Sequence, residues 1–79
     1  MSDATPADAT LRVARDRRVR GVYFSLSIVG QDHVAGVIRK YRRGWQLLAF
    51  GATDYDRSLT ALAKRALALS GAERIEFLP

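Results

Sequence analysis

The stretch Gly21–Gly30 (GVYFSLSIVG) alternates without a break. Val22, Phe24, Leu26 and Ile28 fall on one side, and Tyr23, Ser25 and Ser27 on the other. Period two of this strictness, in strand-favouring residues, demands a half-buried β-strand. A half-buried strand in turn demands a sheet with one covered face, because a slip of one residue would move every apolar group into solvent. Gly30-Gln31-Asp32 reads as the turn that follows, and HVAGVIRKY as an antiparallel partner rich in β-branched residues. Arg42-Arg43-Gly44 reads as a second tight turn, with Gly44 as its positive-φ residue. Residues 45–50 (WQLLAF) read as a third strand.

The period then changes. Leu59, Leu62, Ala66 and Leu69 recur at helical spacing, with Ala63 in the same stripe. Asp54, Asp56 and Ser58 supply cap candidates and acidic residues before the helix, and Gly71 is the natural residue to end it. In ERIEF, Ile75 and Phe77 alternate with Arg74 and Glu76 as in a short final strand. Residues 10–20 (TLRVARDRRVR) fit either period, and the helical spacing of Leu11, Ala14 and Arg18 favours a short helix or an arm. The expected fold class is α+β: a small antiparallel three- to four-stranded sheet, β-β-β-α-β, with one helix on one face. Residues 1–9 read as a flexible tail and 10–79 as one small domain. At 79 residues such a domain buries about 60% of its unfolded surface, enough for one thin core.

Several function classes drop out on composition. There is no cysteine, so disulfides, thiolate zinc sites and cysteine nucleophiles are excluded, and the lone His33, at a turn, builds no histidine cluster. No apolar run approaches the ~20 residues of a membrane span, and the first ten residues lack the pattern of a secretory signal. The expectation is a cytoplasmic chain with no membrane partner. Ser25, Ser27 and Ser58 lie in no nucleophile-elbow motif, Asp54 and Asp56 are explained by capping, and no glycine-rich phosphate loop occurs. The chain is therefore expected to be non-enzymatic and to need no cofactor or metal.

Charge is the positive signal. Residues 11–45 carry nine Arg/Lys against two acids, whereas residues 46–79 balance four against four. The excess falls in two clusters: Arg12, Arg15, Arg17, Arg18 and Arg20, then Arg39, Lys40, Arg42 and Arg43. Eleven of the thirteen bases are arginine, whose planar fork suits phosphate and carboxylate. Strand parity expects the helix to cover Val22, Phe24, Leu26, Ile28, Val34, Ile38, Leu48 and Phe50. The opposite face then collects Tyr23, Ser25, Ser27, Val37, Arg39, Tyr41, Trp45 and Leu47: either an aromatic and cationic surface of the kind that binds single-stranded nucleic acid, or, the favoured reading, a patch over which the N-terminal segment or a second subunit packs to finish the core. The hairpin Arg39, Lys40, Tyr41, Arg42, Arg43 and Trp45 is the sharpest candidate site, joined by Arg15, Arg17, Arg18, Arg20 and Tyr23.

The run Gly36, Ile38, Arg39, Lys40 and Trp45, with the helix after it, resembles the amino-terminal arm-binding domains of phage-type tyrosine integrases. The resemblance spans about Gly36 to Gly71. It implies a sheet packed on one helix and DNA contacts at Arg39 and Lys40. The leading expectation is thus a small basic domain binding nucleic acid, DNA ahead of RNA, through a basic hairpin and an arginine-rich N-terminal arm. The alternative is a protein-binding inhibitor or adaptor of phage or mobile-element type, anti-CRISPR-like or a host-takeover factor, that blocks an acidic protein surface. A homodimer pairing through the open face is a third option.

Overall fold

The computed structural model describes residues 9–31 and 34–78; the turn histidine His33 and most of the amino-terminal tail lie outside the described residues. The chain forms β1 (Thr10–Arg15), β2 (Tyr23–Ile28), β3 (Val34–Tyr41), β4 (Gly44–Ala49), β5 (Ala52–Asp56), α1 (Leu59–Ser70) and β6 (Arg74–Leu78). The class is α+β. The sheet is six-stranded, in the order β5-β4-β3-β2-β1-β6. Strands β1 to β5 make an antiparallel meander, and β6 returns to pair in parallel with β1.

Three expectations are corrected. Residues 10–15 are a strand rather than a helix or arm. Leu11 and Val13 alternate into the core, opposite Ile28 and Leu26 of β2. The helix-compatible arginines and alanine of this segment are overridden by pairing on both edges, with β2 and with β6. The sheet is also larger than three to four strands, because residues 52–56 pair with β4. Asp54 and Asp56 therefore lie in an edge strand, and no acidic residue stands in the first turn of α1. Finally, Gly44 is not the positive-φ residue of its turn. That residue is Arg42, at φ 53°.

The helix keeps its expected bounds. Ser58 caps it by accepting a hydrogen bond from the Ala61 N–H at 3.1 Å, and Gly71 ends it in the left-handed region at φ 75°. Leu62, Ala63 and Ala66 are buried against the sheet, chiefly over β4 and β5 and reaching β1. The core beneath them is Leu11, Val13, Leu26, Ile38, Leu47 and Ala49. Gly36 lies in the row Leu26–Gly36–Ala49, where an added Cβ would stand 2.6 Å from the Ala49 Cα; that space is already filled.

The face assignment of β4 is the fourth correction. Leu47, not Leu48, points under the helix: Leu47 is 0% exposed and Leu48 37%. Trp45 lies on the Leu47 side, where it packs against the core with its ring 5.9 Å from that of Phe24. Phe50 leaves the strand. It occupies the Phe50-Gly51 turn at φ 52°, with Gly51 at φ 76°, and packs against the core from there. Two positive-φ residues in a two-residue loop are the pattern of a type I′ hairpin. Reading Phe50 as the end of a strand, with a helix cap to follow, hides this turn and therefore hides β5.

Candidate functional site

Strand direction decides where the charge goes. β1, β3 and β5 run toward one end of the sheet, and β2 and β4 run away from it. Three connections therefore meet at that end: residues 16–22 between β1 and β2, Arg42-Arg43 between β3 and β4, and Arg57-Ser58 between β5 and α1. Arg12 apart, the two basic clusters, some 20 residues apart in sequence, are brought together there, and Arg57 joins them. At about 4.8 Å per strand the two hairpin tips lie about 10 Å apart, and Arg57 about 7 Å beyond the second. The Arg15–Arg20 group thus lies on a strand end and a turn, not on an arm.

Within the β1–β2 turn, Asp16 and Arg18 hold each other. The Asp16 carboxylate accepts from the Arg18 backbone N–H at 3.0 Å, from Nε at 3.1 Å and from Nη2 at 3.2 Å. The side-chain hydrogen bond from Arg18, then the backbone one, keeps the Asp16 pKa below its ordinary value. Among the described residues, the other ion pairs are Arg12 with Glu76 and Arg65 with Asp54, both away from this end. Arg17, Arg20, Arg42, Arg43 and Arg57 are exposed there and share no ion pair with a described residue.

Aromatic rings hold further cations in place on both faces. On the helix side, the Arg15 guanidinium lies 5.9 Å from the centre of the Phe24 ring and Lys40 Nζ lies 4.9 Å from that of Trp45. Arg15 Nε is buried without a hydrogen-bond partner. On the open face, Arg39 and Arg42 lie 5.3 and 5.6 Å from the centre of the Tyr41 ring. Such contacts contribute about 0.5–1 kcal/mol each at exposed sites. Their larger effect is to aim the charges. Arg39 and Lys40, the contacts implied by the integrase resemblance, therefore serve opposite faces of one strand.

The open face carries a polar ladder. Tyr23, Arg39, Gln46 and Tyr55 stand opposite one another across β2, β3, β4 and β5. Arg39 Nε donates to Gln46 Oε1 at 2.6 Å, and Gln46 Nε2 donates to the Tyr55 hydroxyl at 3.0 Å. Gln46 is only 6% exposed, so the pairing satisfies an amide that burial would otherwise penalise. The Tyr41 and Tyr55 rings meet at 5.3 Å, tilted by 43°. Beside them opens a cleft of about 300 Å³, lined by residues 41–45 and 55–57. Asp56 is its one acid, with Oδ1 held by the Ser58 N–H at 2.8 Å.

The structure thus places Tyr23, Arg39 and Tyr41 on the open face, Arg15, Lys40 and Trp45 on the helix side, and Arg17, Arg18, Arg20, Arg42 and Arg43 in the turns between. Sequence parity misses Tyr55, Gln46 and Arg57. The signal that could have found them is the Phe50-Gly51 turn, which reverses the chain and sets Tyr55 opposite Gln46. Among the described residues there is no cluster of metal-ligating side chains, and no helix is long and apolar enough to cross a membrane. No protein-family model, no curated protein and no solved structure matches this chain.

Proposed function

We propose that this protein is a small nucleic-acid-binding domain without enzymatic activity, whose working surface is the basic end of the sheet. The observation that carries this reading is the convergence of Arg15, Arg17, Arg18 and Arg20 with Arg39–Arg43 on that end, where Arg18 is the one arginine paired with a described carboxylate. Exposed arginines spaced over about 17 Å span the rise of about five base pairs at 3.4 Å each. They sit on turns held by a packed sheet, so binding orders their side chains but not the backbone that carries them. The binding term is electrostatic and independent of sequence: phosphate contacts position the domain, and counterion release supplies the affinity.

Fluorescence anisotropy with labelled mixed-sequence DNA at low and physiological salt tests this directly. Binding that weakens steeply with salt, and is competed by unlabelled nucleic acid of unrelated sequence, supports the proposal. A nuclease-resistant complex with a protein through Arg42 and Arg43, together with no salt-sensitive nucleic-acid binding, would replace it with the blocking-protein reading.

A further inference from the structure

We infer that the Tyr41–Tyr55 pair is a stacking platform for one unpaired base, which makes the domain prefer single-stranded nucleic acid to duplex. This rests on the phosphate-binding reading above and adds the part of the ligand that lies between phosphates. Tyr55 is 53% exposed on an edge strand, where a large aromatic gains little from folding. It is nonetheless fixed twice, by the hydrogen bond from buried Gln46 to its hydroxyl and by the Tyr41 ring at 5.3 Å. Gln46 is itself fixed by Arg39. An exposed ring held rigid by a buried amide is preorganised for a flat partner, since its rotamer freedom is already spent.

The cleft beside the pair has the size and chemistry for that partner. Its volume of about 300 Å³ lies at the lower end of small-ligand sites. Arg42 and Arg57 line it together with the two tyrosines, so a base on the rings would place its flanking phosphates beside cations. Duplex DNA cannot use the platform, because its bases stack on one another. It meets only the arginines. A strand with free bases meets both, and stacking on an aromatic side chain adds affinity whatever the base.

The test compares a labelled oligothymidylate of about 12 nucleotides with a blunt duplex of equal length, at one salt concentration, for wild type, Tyr55→Ala and Tyr55→Phe. Wild type should bind the single strand more tightly. Tyr55→Ala should weaken single-strand binding by about 5- to 100-fold and leave duplex binding near wild type, with a lowered melting temperature because the buried Gln46 amide loses its acceptor. Tyr55→Phe keeps the stacking surface and should retain most of the affinity. If Tyr55→Ala binds the single strand as wild type does, or loses both probes equally, the platform is wrong while the phosphate reading stands. If wild type binds neither probe, both fall.

Discussion

Leu47 and Leu48 are neighbours in β4 and sit on opposite faces of the sheet, Leu47 fully buried beneath the helix and Leu48 37% exposed on the open side. This relationship sets which face of the sheet the helix covers. Leu47→Ala should cost about 2–5 kcal/mol. Leu48→Ala should cost under about 1 kcal/mol, as half-exposed positions do. Denaturant unfolding followed by Trp45 emission measures both. Equal losses would show the two faces to be exchanged.

Arg42 offers a separation of binding from folding. It holds φ 53° at the tip of the β3–β4 hairpin, a conformation that costs a non-glycine residue about 1–2 kcal/mol. Glycine removes that strain and the charge together, at an entropic cost of about 0.5–1 kcal/mol. Arg42→Gly should therefore melt within a few degrees of wild type while binding nucleic acid more weakly. A variant that unfolds would make Arg42 a structural residue of the turn.

Asp16 should make stability fall slightly in acid. Its folded pKa is lowered by Arg18, so its contribution is complete above the unfolded value near 4 and is lost as pH falls through the folded one. Asp16→Asn should thus be less stable than wild type at pH 7, and the gap should close as pH drops below about 4. Denaturant midpoints at neutral and acid pH decide it. A gap independent of pH would mean that the charge of Asp16 is not what holds the turn.

How far the fold could be seen in the sequence follows from which residues signal by pattern. β2 and α1 are plain because their apolar residues repeat at the period of the element, Phe24-Leu26-Ile28 in one and Leu59-Leu62-Ala66 in the other. β5 is hidden because its five residues, ATDYD, are an edge with no apolar alternation, and aspartate is depleted in strands. β1 is hidden because arginine and alanine suit helices and one of its two partners, β6, lies at the far end of the chain. The basic hairpin of the candidate site is visible as a run of charge. Tyr55 and Gln46 are not, since their meeting depends on a turn made by Phe50 at positive φ, a conformation bulky residues rarely adopt.

If two turns distant in sequence form one phosphate-binding surface, the salt dependence of affinity must report both of them. On duplex DNA, log affinity against log salt should fall with a slope of about −0.9 per phosphate neutralised. Replacing Arg42 and Arg43 by Ala should flatten the slope by roughly one to two units, and so should replacing Arg17 and Arg20. The two losses should add in the fourfold variant, because each turn meets its own phosphates. A slope that is flat in wild type, or unchanged when either pair is removed, would rule that surface out.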